Sequence, residues 1–142
     1  AASIKEYAIA WSVQFIEPDE IDAAGMSLSL RMAFTRALRA VEQPGIVADV
    51  VFIDGHPLHV DPRAINVVKG DGCCASIADA SIVAKGERDN VMIRYAAEYP
   101  LYGFDSCKGY ASPSHIEAIK KHGLTPIHRK SFCTSFLQES LF

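Results

Sequence analysis

Apolar and polar positions alternate cleanly over residues 7–16. Ile9, Trp11, Val13 and Phe15 fall on one side, and Ala8, Ala10, Ser12 and Gln14 on the other. A period of two predicts a half-buried strand, and Glu17, Pro18 and Asp19 then break it. Over residues 29–41 the period changes. Leu30, Phe34, Ala37, Leu38 and Val41 make one apolar stripe at helical spacing, with Ser27 and Ser29 as available N-caps and Pro44-Gly45 as the stop. Residues 47–53 and 64–68 are short β-branched runs, the pattern of fully buried strands.

A long run of small and apolar residues follows, predicting a helix to about Tyr95, with Tyr99-Pro100 closing it. Asp79 lies among Ala75, Ile82 and Val83 on the apolar side of that helix and needs a partner there. Residues 101–111 read as a loop. Ser112, Pro113 and Gly123 then supply cap, first-turn proline and C-terminal glycine for a final helix. The tail over 125–142 shows no clear period before a short apolar end. Helices interleaved with short strands, without repeat or linker, give an α/β chain.

A length of 142 residues fits one domain. There is no run of eighteen apolar residues for a membrane span and no basic-then-apolar leader pattern. The chain opens on Ala1, so we expect that something precedes it in the gene or has been removed. Cys73, Cys74, Cys107 and Cys133 form no CxxC pair. They read as reduced packing thiols of a cytoplasmic protein. The net charge of −3 argues against a generic nucleic-acid coat. Over residues 108–130, however, Glu117 is the only acid against Lys108, Lys120, Lys121, Arg129 and Lys130, with His115, His122 and His128 between them. Such a segment could meet phosphates, or could simply be a solvated basic face.

Both buried-strand patterns end in an acid beside glycine, at Asp54-Gly55 and at Lys69-Gly70-Asp71. Open α/β sheets collect ligands outside the carboxyl ends of their strands, so the two carboxylates could face one crevice. Asp-Gly is also a common turn, and Asp71 before a helix is a good N-cap. Ser81, Lys85 and Arg88 at i, i+4 and i+7 share a helix face, which makes either a phosphate-binding row or an ordinary solvated face.

The motifs Ile53-Asp54-Gly55, Lys69-Gly70-Asp71, residues 77–85 closing on Arg88-Asp89, Tyr99-Pro100, Lys108-Gly109-Tyr110 and residues 128–132 occur in this order, after Glu20-Ile21-Asp22. In order and spacing the chain resembles bacterial type 2 ribonuclease H across nearly its whole length. The resemblance implies an endonuclease that hydrolyses the RNA strand of RNA–DNA hybrids and nicks at ribonucleotides embedded in duplex DNA. It implies a ribonuclease H-like mixed sheet with flanking helices. It also implies four acidic ligands for Mg²⁺ or Mn²⁺, of which Asp54 matches the third and Asp71 the fourth. Asp89 matches a recurrent position that is not a ligand. Tyr110 matches the tyrosine that stacks on the sugar at the scissile junction, and Ser81, Lys85 and Lys108 fall among the substrate contacts. Two divalent ions about 3.5–4 Å apart can activate water and stabilise the leaving oxygen, and hard oxygen ligands suit them. The 2′-OH is the one handle that separates RNA from DNA at a single residue.

The resemblance has gaps. The family's first-strand Asp-Glu pair, its Gly-Arg-Gly turn and a lysine-rich segment near an Asp-Ser-Lys motif do not occur in these residues. Asp79 stands where alanine is usual, Cys107 where histidine is frequent, and Ala111-Ser112 where Gly-Thr is common. We therefore expect residues 1–142 to be the carboxyl-terminal two-thirds of one ribonuclease H-like domain, with a helical extension from about 112. The first two strands would be absent, leaving the strand at 7–16 without a neighbour. Two carboxylates alone should hold metal weakly and sustain no turnover. The alternatives are a non-catalytic nucleic-acid-binding fragment and a bystander α/β domain. The end of the chain, with Gln138, Leu141 and Phe142, resembles the Gln-x-x-Leu-Phe peptides that seat in the bacterial sliding clamp. Glu139 departs from that pattern, and an amphipathic tail would look the same.

Overall fold

The structure, a computed structural model, describes residues 1–43 and 45–138, with Phe136 and Gln138 described by their backbone. The elements are α1 (Ala2–Tyr7), α2 (Pro18–Ala24), α3 (Met26–Val41), β1 (Val51–Asp54), β2 (Ala64–Val67), α4 (Ala75–Glu98), α5 (Phe104–Cys107), α6 (Pro113–His122) and α7 (Lys130–Gln138), with 3₁₀ turns at Gly70–Gly72 and Pro100–Tyr102. Residues 1–16 and 24–86 form one compact unit, and residues 17–23 and 87–142 a second. No described helix is long and apolar enough to cross a membrane.

In the first unit β1 and β2 pair in parallel, in register from Val51 opposite Ala64 to Asp54 opposite Val67. Successive side chains of a strand face opposite ways, and only one face is covered. Ile53 is fully buried, while its neighbour Phe52 and Phe52's cross-strand partner Ile65 are exposed. The β-branched runs thus mark two real strands, but half-buried ones. Arg63 fixes the start of β2 to the chain after α3. Its guanidinium donates to Asp61 at 2.8 and 2.9 Å, to Glu42 at 2.7 Å and to the Ala48 carbonyl at 2.8 Å. The side-chain bond from Arg63 holds the Asp61 carboxyl down at about 2.

Residues 8–16 make no strand. Alternation places side chains, but a strand also needs a neighbour to take its backbone hydrogen bonds. Here Ile9, Trp11 and Phe15 stay exposed, and Lys5 lies over the Trp11 ring at 4.0 Å. Residues 17–19, expected only as a break, instead start α2. Pro18 suits the first turn, Asp19 and Glu20 favour the positive end of the helix dipole, and the Glu17 N–H donates back to Glu20 at 3.2 Å. Neither Ser27 nor Ser29 caps α3. The helix begins after Gly25, whose φ of 76° falls in the left-handed region open to glycine. Ser29 is buried and donates its hydroxyl to the Gly25 carbonyl at 2.8 Å. The stripe on α3 is only partly covered, with Phe34, Ala37, Leu38 and Val41 half-buried and Leu30 exposed. Asp79, expected to need a buried partner, is exposed.

The second unit has an aromatic core. Tyr102 and Phe104 stack at 5.7 Å, and His115 and His128 stack on each other at 5.3 Å. Phe104 touches both imidazoles, at 5.1 and 5.6 Å. Ile119 and Cys133 complete the buried set, lined by Tyr95, Tyr99, Leu124 and Ile127. Residues 101–111 are therefore not a plain loop, since a 3₁₀ turn and α5 bring Tyr102 and Phe104 inward. Ser112 caps α6 as the sequence suggests, accepting the His115 N–H at 3.3 Å, with Gly123 ending the helix at φ 79°. The helix α7 has no sequence-local cap. Asp22 supplies one, accepting the Lys130 N–H at 2.7 Å and the Ser131 N–H at 3.1 Å, together with the Ser131 hydroxyl.

His115 and His128 thus drop out of the basic segment read as either a phosphate contact or a solvated face, because both are buried. His128 Nδ1 accepts the Thr125 N–H at 3.0 Å, so its proton sits on Nε2. That atom is buried and has no partner among the described residues. Burial pushes the imidazole below its ordinary value, and the neighbouring His115 adds to the effect. A second proton on Nδ1 would also face the Thr125 N–H. The unfolded chain therefore takes up this proton first as pH falls. Stability should be full above about pH 6.5 and should decline below it, toward the lowered folded value. Thermal melts at pH 7.5 and 5.5 are expected to show a smaller acid loss for His128→Phe than for the natural chain. Equal losses would rule out His128 as the source.

Candidate functional site

The first unit brings Asp54 and Asp71 into one neighbourhood. Asp54 ends β1, and its Oδ1 accepts the Gly70 N–H at 2.8 Å. Beyond β2 the chain turns through Lys69 in the left-handed region, φ 55°, and enters the Gly70–Gly72 3₁₀ turn. Gly70 sits at a close approach of the chain to β2 and α4. A Cβ there would stand 2.5 Å from Ile77 Cδ1 and 3.2 Å from Val67 Cβ. The glycine therefore presses the turn onto β2 and α4, aims its N–H at Asp54 and presents Asp71 on the following residue. Both carboxylates are solvent-exposed. The helix α4 starts only at Ala75, so Asp71 is not its N-cap.

Two exposed carboxylates are hard oxygen donors, the right kind for Mg²⁺ or Mn²⁺. Asp54 spends one lone pair of Oδ1 on Gly70, and no hydrogen bond from a described residue reaches Oδ2. Among the described residues no group of three or more His, Cys, Asp or Glu side chains comes together as a metal cluster. The donor set fits such an ion in kind, and two carboxylates are fewer ligands than a full coordination shell takes. Ser81 and Lys85, on the stretch of α4 in this unit, are half-buried and exposed respectively.

In the second unit Tyr110 follows two left-handed residues, Lys108 at φ 50° and Gly109 at φ 77°. A Cβ on Gly109 would meet Met92 Cε at 3.3 Å, so the turn lies close against α4. The Tyr110 N–H donates to the Cys107 carbonyl at 2.8 Å, and its carbonyl accepts the Ser112 N–H at 2.8 Å. The residue is 66 % exposed. Arg88 reaches it, donating from Nη1 to the phenol oxygen at 3.2 Å, with its guanidinium carbon 5.6 Å from the ring centre. Arg88 is held in turn by Asp89, whose Oδ1 accepts from Nη2 at 3.0 Å and from Nε at 3.3 Å. Asp89, and then Tyr110, hold the guanidinium more firmly protonated than usual.

Arg88 was expected in a row with Ser81 and Lys85, and the pairing with Tyr110 went unseen because the two residues lie 22 positions apart in the chain. The Asp22 cap has a faint sequence sign, since a helix opening on Lys130-Ser131 with no capping residue before it calls for a cap from elsewhere. Leu141 and Phe142 lie outside the described residues, and Gln138 is the last residue of α7.

A sequence profile of the family described as Ribonuclease HII matches residues 2–135. A Ribonuclease HII of Ruminiclostridium cellulolyticum is 40 % identical over 138 residues, covering 96 % of this chain and 53 % of the relative. One from Desulforamulus reducens is 40 % identical over 133 residues, covering 93 % and 66 %. One from Parabacteroides distasonis is 44 % identical over 131 residues, covering 91 % and 64 %. The chain spans between about half and two thirds of the length of these curated relatives.

Proposed function

Because the chain belongs to the ribonuclease HII family, we propose that it is the part of a metal-dependent endonuclease that carries two of the metal-binding carboxylates and the ribonucleotide contact. The substrates are RNA–DNA hybrids and duplex DNA with embedded ribonucleotides, met in the cytoplasm. The observation that supports this most is the Asp54–Gly70–Asp71 turn. It puts one exposed carboxylate at the carboxyl end of β1 and a second on the residue after Gly70, whose N–H Asp54 accepts, at the strand ends where open α/β sheets take their ligands.

In this reading Asp54 and Asp71 hold Mg²⁺ or Mn²⁺. Ions so held supply an activated water and a counter-charge for the leaving oxygen. Tyr110 packs on the sugar that carries the 2′-OH, and Lys108, Ser81 and Lys85 meet the phosphate backbone. The Asp-Glu pair that the family resemblance calls for is not among these residues. The chain is then one part of a mixed-sheet ribonuclease H-like domain. Further strands of such a sheet would pair along the open edges of β1 and β2, and the exposed face at Phe52 and Ile65 would take a covering layer. Gln138, Leu141 and Phe142 could dock the sliding clamp.

The test is cleavage by the full gene product of a DNA duplex carrying one ribonucleotide. Cutting confined to the ribonucleotide strand and dependent on Mg²⁺ or Mn²⁺ is expected, with an all-DNA duplex left intact. Cutting of plain DNA, or none in either metal, would overturn the reading. Residues 1–142 alone should bind such duplexes without turning them over, and measured turnover would refute the two-carboxylate limit.

A further inference from the structure

The Tyr110 ring is placed by few contacts. Its backbone is anchored on both sides, at Cys107 and Ser112, yet two thirds of the residue is exposed and no described ring stacks on it. An aromatic side chain in that position keeps several rotamers unless something holds its far end. Arg88 does hold it, by one hydrogen bond to the phenol oxygen and by lying beside the ring. A guanidinium on a flexible stem is itself a poor anchor, and Asp89 removes that freedom by accepting from two of its nitrogens. Arginine suits the task because its planar fork can serve Asp89 on one edge and Tyr110 on the other.

We infer that Arg88 and Asp89 are positioning residues for ribonucleotide discrimination: Asp89 orients the Arg88 guanidinium, and Arg88 fixes the Tyr110 ring in the pose that reads the sugar. The inference rests on the proposed role of Tyr110 at the sugar. It gives Asp89, otherwise an acid without a chemical task, a place in specificity rather than in metal binding. A stacked sugar carries a 2′-OH in RNA and none in DNA, so the cost of a loose ring falls on the discrimination ratio. A lost backbone contact would weaken both duplexes alike.

Two experiments test this. In the first, the chain carries 3-fluorotyrosine, and Tyr110→Phe identifies the Tyr110 fluorine signal by its disappearance. Arg88→Gln is expected to move and sharpen that signal in the free chain, and Asp89→Asn to do so to a smaller extent. An unmoved signal overturns the inference without any nucleic acid being present.

In the second, the full gene product is titrated with two duplexes differing by one 2′-OH. Tyr110→Ala should abolish the preference for the ribonucleotide duplex. Arg88→Gln should reduce the preference roughly threefold to tenfold, the worth of one ordinary solvent-exposed hydrogen bond, and Arg88→Lys should recover only part of it. If Tyr110→Ala leaves the preference intact, it is the reading of Tyr110 that fails. If Tyr110→Ala removes it while Arg88→Gln lowers affinity for both duplexes equally, the positioning role fails and Arg88 is a phosphate contact.

Discussion

If the proposed function holds, replacing Asp54 with Asn is expected to lower metal-dependent hydrolysis by the full gene product at least about a hundredfold, because the proposal makes Asp54 a charged ligand of the ions. The substitution keeps the fold. An Asn side-chain carbonyl can still accept the Gly70 N–H that Asp54 Oδ1 takes at 2.8 Å, so the turn that presents Asp71 stays closed. What disappears is the charge and the hard anionic oxygen. Asp54→Ala should do worse on a second axis. It would strand the Gly70 N–H, so destabilisation would accompany inactivation. Asp71→Asn should match Asp54→Asn in activity with no effect on the turn, since no described hydrogen bond to the Asp71 side chain supports the fold. Manganese titration followed by electron spin resonance, run beside melting curves, separates the cases. An Asp54→Asn protein that melts normally and still binds and cuts would remove the acid pair from the metal site.

The acid pair was legible because its geometry is local. Two β-branched runs, each stopping beside an acid and a glycine, suggest that Asp54 and Asp71 could face one crevice, with turn and cap readings open beside it. Gly70 then closes the turn where a Cβ would crowd Ile77 and Val67. The ends of α6 were legible for the same reason, since Ser112, Pro113 and Gly123 act within a turn of themselves. What failed was whatever depends on a distant partner. Residues 8–16 have the alternation of a strand and no strand beside them. The helix α7 lacks a period strong enough to announce it and is started by a carboxylate 108 positions away. His115 and His128 looked like members of a basic stretch because composition records charge and not burial. Pro18 misled in the opposite sense. A proline that ends one pattern is also well suited to open a helix, and nothing before it showed which role it would take.

The histidine pair also sets what truncating Phe104 should do. Phe104 is buried against both imidazoles and stacks on Tyr102, with Tyr99 edge-on at 6.5 Å. Removing a buried phenyl ring costs about 3–5 kcal/mol, a large share of the 5–15 kcal/mol that holds an ordinary domain together. Phe104→Ala should therefore bring the second unit close to unfolding at 37 °C. The space it leaves would not be purely apolar, because the orphaned His128 Nε2 borders the same aromatic cluster. A polar cavity of that size takes up water, and water would give Nε2 its missing acceptor. The cost should then fall toward the lower end of the range. The His128 imidazole should also titrate closer to its ordinary value, flattening the acid loss seen in the natural chain. Ile119→Ala opens a space in the same core, lined there by apolar groups. It should cost about 2–5 kcal/mol and leave the acid dependence as it was. Urea unfolding at pH 7.5 and 5.5 distinguishes the two variants. A loss below about 1 kcal/mol for Phe104→Ala, or an acid profile that Ile119→Ala shifts as much, would mean that the aromatic cluster neither carries the unit nor governs the histidines.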